Sequence, residues 1–83
     1  MRLDKFLKVS RIIKRRSVAN EACSLDRVTI NGKPSKPSKE VSAGDKIGIR
    51  FGDKTVHFEV LAVPSGNVGK DDADSLYRII EGE

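Results

Sequence analysis

Apolar residues near the start of the chain recur at the spacing of an α-helix. Leu3, Phe6 and Leu7 occupy positions i, i+3 and i+4, so they share one helical face. Ile13 follows close to the same face. The pattern predicts a first helix over residues 2–9. Cationic residues fill the intervening positions, so one side of this helix is expected to pack while the other meets solvent or a ligand.

A second short helix is predicted from Val18 to about Leu25. Ser17 suits its N-terminal cap, because a serine hydroxyl can accept a hydrogen bond from a free amide of the first turn. Val18, Ala22 and Leu25 form the stripe that is expected to be buried, and Cys23 is expected at its edge as a small buried apolar residue. Because a charged turn at 10–16 separates the two helices by only a few residues, they are expected to pack as a corner with the turn on its outside.

After residue 27 the apolar residues no longer follow the spacing of a helix but alternate with polar ones, which indicates strands. The predicted strands are Val28–Ile30, Lys46–Phe51, Thr55–Val63 and Tyr77–Ile80. The connections are a tight turn at Asn31-Gly32, an extended solvent-facing loop at 33–39 (KPSKPSK), a loop at 64–70 and a helical turn at Asp71–Leu76. The predicted fold class is α+β, with two short N-terminal helices packed on a small twisted antiparallel sheet, in a single domain over 1–83.

Positive charge is concentrated at the N-terminus. The formal net charge is +4, and the first sixteen residues carry seven of the 16 Lys and Arg residues but only one acid, Asp4. A surface helix that is charged only for solubility usually mixes both signs, so this face is expected to bind a polyanion, most commonly nucleic acid. The candidate phosphate contacts are Arg2, Lys5, Lys8 and Arg11, which can meet phosphates along one line, and Lys14, Arg15 and Arg16, which extend from the turn into the second helix.

Two features of this charge pattern leave alternatives open. Asp4 either orients Arg2, Lys8 or a nearby arginine, or stabilises the first helical turn, and these interpretations are compatible. The proline-containing loop carries further cations, which either reach a second phosphate strand or serve only as a solvated loop surface. Those cations are Lys33, Lys36 and Lys39.

Several chemistries are not expected. Cys23 and His57 are the only residues of their kinds, so neither an intrachain disulfide nor a Cys/His zinc site can form. No apolar run approaches the ~20 residues of a membrane span, and no secretory signal is recognisable. We therefore expect a cytoplasmic protein, complete as written, without membrane contact, metal or cofactor.

The order of these pieces resembles the S-four-type RNA-binding domain. That family has an αL motif, in which two helices pack at a corner and lead into strands. The matching stretches are Arg2–Leu7, Arg15–Ser17, Arg27–Lys33 and Val41–Ile49. The general resemblance covers about residues 1–51, and four motifs in the right order make it specific. In one departure, Asp26 stands where the family usually has the Gly of a left-handed helix cap, a conformation that Asp tolerates at some cost.

A closer resemblance, over nearly the whole chain, is to the freestanding bacterial S-four family called RqcP or YabO. The segments MRLDKFLKVSR, IKRRS, GDKIGIRFG and SLYRII carry it. The resemblance implies a non-enzymatic, monomeric factor of ribosome-associated quality control. Such a factor binds a large ribosomal subunit holding a stalled peptidyl-tRNA, contacts large-subunit rRNA and P-site tRNA, and works with an RqcH-type factor that adds alanine tails.

The RNA contacts expected from charge and resemblance together form one set. By similarity, Arg2 and Arg16 are central to it. The full set is Arg2, Asp4, Lys5, Lys8, Arg11, Lys14, Arg15, Arg16, Arg27, Lys33 and Lys36.

Three other functions were weighed. A factor of the heat-shock-protein-fifteen type would recycle free large subunits carrying nascent chains, but that type usually has a basic C-terminal extension, whereas Ile79–Glu83 is acidic. A constitutive ribosomal protein is also compatible with the charge. An RNA-modifying enzyme is disfavoured, because 83 residues leave no room for a catalytic domain beside the RNA-binding one.

Overall fold

Two short helices precede an antiparallel sheet, as the change of period predicts. The computed structural model describes residues 1–64 and 69–80. The elements are α1 Leu3–Val9, α2 Arg16–Ser24, β1 Val28–Ile30, β2 Lys33–Pro34, β3 Lys46–Phe51, β4 Lys54–Val60, α3 Lys70–Ala73, a 3₁₀ helix Asp74–Leu76, and β5 Tyr77–Ile80. The strands form one sheet in the order β2-β1-β3-β4-β5, with every neighbouring pair antiparallel. The α+β class is confirmed.

One hydrophobic cluster joins the helices to a single face of the sheet. In the register of β1 and β3, Val28 lies opposite Ile49 and Ile30 opposite Ile47, so their side chains point to the same side. The apolar face of α1 packs there, which confirms the first predicted helix. The members of the cluster from these elements and from β4 are Leu3, Phe6, Leu7, Val28, Ile30, Ile47, Ile49, Phe58 and Val60.

The second helix differs from its prediction in both start and buried face. It begins at Arg16, and its N-cap is Arg15 without a side-chain cap, so the assignment of Ser17 is wrong. Cys23 is buried as predicted and Ala22 is partly buried, but Ala19 is buried as well, whereas Val18 and Leu25 are 49% and 52% exposed. The helix carries two overlapping apolar stripes, and the one with smaller side chains faces the interior. The distance between two packed helices depends on the size of the side chains between them. The small side chains of Ala19 and Cys23 allow α2 to lie closer to α1 than the larger ones of Val18 and Leu25 would.

The end of α2 has the left-handed cap that the resemblance to the S-four-type domain predicts. Asp26 has φ 58°, and its amide donates to the carbonyl of Cys23 at 3.1 Å. The amide of Arg27 donates to the carbonyl of Ala22 at 3.0 Å. Together these bonds form a Schellman motif, which turns the chain from α2 into β1.

We expect Asp26→Gly to raise the free energy of unfolding by about 1 kcal/mol, because Gly has no Cβ to strain the left-handed conformation. Urea denaturation would measure the change. Asp26→Ala is the matched control and should be less stable than the parent chain, since Ala tolerates positive φ poorly. A lower midpoint for the Gly variant would contradict this account of the cap.

The segment predicted as a solvent-facing loop at 33–39 is partly a strand and partly docked. Lys33 and Pro34 pair with β1 across a two-residue turn in which Asn31 and Gly32 have φ 53° and 86°, which confirms the predicted turn. A proline is allowed there because β2 is a sheet edge. Farther along, carbonyls of this segment accept hydrogen bonds from the start of α1.

These bonds replace a side-chain cap on α1. Arg2, the N-cap residue, makes no capping hydrogen bond with its side chain. Instead the amide of Leu3 donates to the carbonyl of Lys39 at 2.8 Å, and the amide of Asp4 to that of Pro37 at 3.2 Å. Amides that would otherwise lack partners at the helix start are therefore satisfied by a segment distant in sequence.

Strand β4 ends at Val60, three residues before its predicted end. Beyond it, the amides of Leu61 and Ala62 both donate to the carbonyl of Leu76, at 2.8 and 3.3 Å, so the chain leaves the ladder there. The predicted helical turn is confirmed as α3 and the 3₁₀ helix, and the predicted final strand as β5. Of the predicted loop at 64–70, residues 65–68 lie outside the described part.

Candidate nucleic-acid interface

The one acid of the basic N-terminus lies buried between the two helices. Asp4 is in the first turn of α1, and its side chain is only 3% exposed. Oδ1 accepts a hydrogen bond from the amide of Lys5 at 2.8 Å, and Oδ2 accepts one from Nδ2 of Asn20, on α2, at 3.3 Å. The carboxylate therefore ties α1 to α2.

Two arginines lie over this carboxylate. Nε of Arg2 is 3.3 Å from Oδ1 of Asp4, and Nε of Arg16 is 3.5 Å from Oδ2. Both arginine side chains are about half exposed, at 48% and 47%. One arginine precedes α1 and the other opens α2, so the carboxylate brings together cations that are distant in sequence. Of the partners considered for Asp4, Lys8 does not pair with it.

The pKa of Asp4 results from opposing effects. Burial on its own raises the pKa of the carboxyl, but hydrogen bonds from Asn20 and Arg16, the charge of Arg16 and the amide of Lys5 lower it below its ordinary value. Asp4 is therefore ionised at neutral pH. The three charged side chains sum to +1, so the cluster stays attractive to an anion while both guanidinium groups are held at the carboxylate.

The remaining cations of the N-terminal set surround this cluster. Lys5 is half-buried and, with Arg2 and Arg16, lines a shallow concavity. Arg11, two residues beyond α1, has φ 65°, and its amide donates to the carbonyl of Lys8 at 3.0 Å. The exposed members among these cations are Lys8, Arg11, Lys14 and Arg15.

The other predicted contacts lie in two separate places. Arg27 follows the C-terminal end of α2, opposite the end that carries Arg16, and lines a concavity with Arg50. Lys33 and Lys36 line a different concavity, beside the β1–β2 hairpin. The structure thus divides the predicted set into three groups, of which the one around Asp4 is the largest.

Two polar residues near these groups were not among the predicted contacts. Arg50 lies beside Arg27 because its amide donates to the carbonyl of Arg27 at 2.9 Å, a strand pairing that no local pattern indicates. Asn20 binds Asp4 only because α2 crosses α1, and an isolated asparagine in a helix carries no such signal.

The described residues show little that could support other chemistry. No group of three His, Cys, Asp or Glu side chains within 1–64 and 69–80 could hold a metal ion. Burial, aided by the nearby charge of Asp4, raises the pKa of the Cys23 thiol to about 11, which makes it a poor nucleophile. Over the same residues, the helices are all too short or too polar to cross a membrane.

Comparisons with known proteins agree with this geometry. Residues 1–47 match the family model described as S4 domain. The RQC P-site tRNA stabilizing factor of Halalkalibacterium halodurans is 48% identical over 83 residues, all of this chain and 93% of that protein. The protein of the same name from Bacillus subtilis is 45% identical over 83 residues and 95% of its length.

A solved structure extends the comparison to the fold. Heat shock protein 15 of Vibrio cholerae, described as trimeric, matches with a TM-score of 0.85 and 34% identity, over 96% of this chain and 81% of that one. The family resemblance carried by the N-terminal motifs is thereby confirmed. The chain belongs to the S4 domain family and, within it, to the group of proteins named RQC P-site tRNA stabilizing factor.

Proposed function

We propose that this chain is a non-enzymatic RNA-binding factor of ribosome-associated quality control. It binds the large ribosomal subunit that holds a stalled peptidyl-tRNA and stabilises the tRNA in the P site. Relatives matched over the full chain bear the name of that role. The structural observation that supports it best is the pair Arg2 and Arg16, held half exposed on the buried Asp4 carboxylate.

This arrangement suits a phosphate better than free surface cations do. Nε of Arg16 lies 3.5 Å from Oδ2 of Asp4, and the arginine side chain is still 47% exposed. The terminal nitrogens of an arginine form a fork that binds phosphate through two hydrogen bonds. Because the carboxylate already fixes the side chain, less conformational entropy is lost on binding. Asp4 therefore acts by positioning the arginines.

The finer assignments belong to the same proposal. Lys5, Lys8, Arg11, Lys14 and Arg15 extend the phosphate-binding surface around the arginine pair along large-subunit rRNA and the tRNA backbone. The factor works in the cytoplasm as a monomer, together with an RqcH-type factor that adds alanine tails.

A second candidate function follows from the structural match to heat shock protein 15. A factor of that kind would act on free large subunits carrying nascent chains, without alanine tailing. Particles recovered with a tagged version of this chain separate the candidates. The proposed role requires that the recovered large subunits carry both peptidyl-tRNA and the tailing factor. The second role requires that they lack the tailing factor. A constitutive ribosomal protein would instead be stoichiometric on all particles.

Arg16→Ala is expected to weaken binding to purified large subunits carrying peptidyl-tRNA by about 5- to 150-fold. That corresponds to about 1–3 kcal/mol for a lost charge-assisted contact. Co-sedimentation measures the binding, and thermal denaturation should show a nearly unchanged midpoint because the side chain is half exposed.

Arg78→Ala is the matched control. Arg78 is an exposed arginine on β5 that pairs with Glu59, away from both helices. Its loss removes the same charge and should leave binding nearly unchanged. If the two variants lose affinity equally, binding is non-specific, and if Arg16→Ala melts much earlier than the parent chain, Arg16 has a structural role.

A further inference from the structure

A cleft of a different character lies between the β1–β2 hairpin and the segment that follows it. Its lining includes three lysines, Lys33, Lys36 and Lys39, together with the apolar side chains of Ile30 and Pro34. It is separate from the concavity of Arg2, Lys5 and Arg16. Lys33 and Lys36 were predicted from the sequence as RNA contacts, but the proposed function gives the cleft itself no role.

The walls of the cleft are held by hydrogen bonds within the chain. The amide of Ser35 donates to the carbonyl of Val28 at 3.1 Å, and its buried hydroxyl donates to the carbonyl of Lys33 at 3.0 Å. The amide of Lys39 closes a turn on the carbonyl of Lys36 at 3.0 Å. The cleft therefore exists before any ligand arrives.

Its charge is not neutralised by nearby acids. Among the side chains that the structure describes, no carboxylate lies within 4.0 Å of the three lysine amino groups. Glu40 pairs with the N-terminal amine of Met1 at 3.0 Å, and Asp45 accepts bonds from Asn31 and from the amide of Ser42. Both neighbouring acids are thus already engaged.

The combination of charge and apolar surface selects a class of ligand. Ile30 is buried beneath the cleft, and Pro34 is exposed beside it, so the floor is apolar while the rim is cationic. An inorganic anion would use only the rim. A nucleotide uses both parts, since its base is flat and poorly hydrated on its faces and its phosphates are anionic.

The cleft is also connected to the arginine pair. The carbonyl of Lys39, on its rim, accepts the amide of Leu3, the residue after Arg2. The backbone on the rim of the cleft therefore adjoins the start of α1, so one RNA molecule can contact both sites. In a continuous duplex every base is stacked and paired, so only an unpaired nucleotide can enter.

We propose that this cleft binds one unpaired nucleotide of the RNA whose backbone the arginine pair holds. The base lies against Pro34 and Ile30, and the flanking phosphates lie on Lys33, Lys36 and Lys39. The inference rests on the proposed function and narrows its ligand to RNA with a bulged or looped nucleotide beside a helix.

The test compares three RNA hairpins with the same stem. One has a single bulged adenosine, one has an abasic residue at the bulge, and one is fully paired. The first two carry the same phosphates, so their difference reports the base alone. Fluorescence anisotropy with the full chain should show the adenosine hairpin binding about 10-fold tighter than the abasic one, the size expected when roughly 55 Å² of apolar surface is buried.

Pro34→Ala should reduce this preference to about twofold, because it removes most of the apolar surface beside the base. Equal binding of the adenosine and abasic hairpins by the parent chain would overturn the cleft assignment. If that equal binding is still weakened by Arg16→Ala, the proposed RNA-binding face survives. Binding that is insensitive to Arg16→Ala on all three hairpins would overturn both.

Discussion

Phe6→Ala is expected to lower the free energy of unfolding by about 3–5 kcal/mol through lost burial and the cavity left behind. Phe6 is 0% exposed and belongs to the cluster that joins α1 to the sheet. A domain of 83 residues has roughly 5 kcal/mol of stability in total. The substitution therefore removes most of it, and RNA binding should be lost because the domain unfolds.

Lys8→Ala is the matched control on the same helix. Lys8 is exposed and makes no ion pair with the described residues, so its loss should change stability by about 0.5 kcal/mol or less. Circular dichroism during urea denaturation measures both variants. A stable Phe6→Ala protein would mean that α1 does not bury its apolar face, and a strongly destabilised Lys8→Ala protein would reverse the assignment of the two faces.

Raising the salt from 50 to 200 mM is expected to weaken binding to structured RNA by roughly 250- to 4,000-fold. The estimate assumes that about five to seven phosphates are neutralised, which gives a slope of log K against log salt of about −4 to −6. The N-terminal half presents enough exposed or half-exposed cations for this: Arg2, Lys5, Lys8, Arg11, Lys14, Arg15 and Arg16.

A salt titration of affinity for one structured RNA checks this slope. The double variant Arg2→Ala and Arg16→Ala should bind more weakly at every salt concentration, with a slope shallower by about 2 because each lost phosphate contact contributes about one. An affinity that barely depends on salt would show that contacts other than phosphate dominate binding.

The sequence predicts α1 well and α2 poorly for a physical reason. In α1 the large residues Leu3, Phe6 and Leu7 form one apolar face, and the other faces are charged, so only one orientation buries them. In α2 two apolar stripes overlap. Close packing against α1 buries Ala19 and Cys23. Which of the two stripes is buried depends on the distance between the helices, and the sequence of α2 alone does not indicate that distance.

The candidate site, too, is only partly predictable from the sequence. Composition indicates which cations are available, since acids are scarce around them. The sequence predicts that Asp4 can orient Arg2 or a nearby arginine, but it does not indicate that Arg16 is that arginine or that Asn20 completes the cluster, because those two contacts exist only when α1 and α2 cross. Likewise, a segment with two prolines gives no sign of becoming strand β2, since a proline is accepted only where topology leaves an edge.

The hydrogen bonds that Pro37 and Lys39 provide to α1 set an order of events during synthesis. A helix of seven residues is too short to persist in water, so α1 cannot form by itself. Its supports, which include the bond from the amide of Val41 to the carbonyl of Met1, are translated after every residue of the basic face. A nascent chain therefore carries its full N-terminal charge before it has the shape that places Arg2 and Arg16. Until residue 41 leaves the exit tunnel, that segment can attract RNA by charge but cannot discriminate among RNAs.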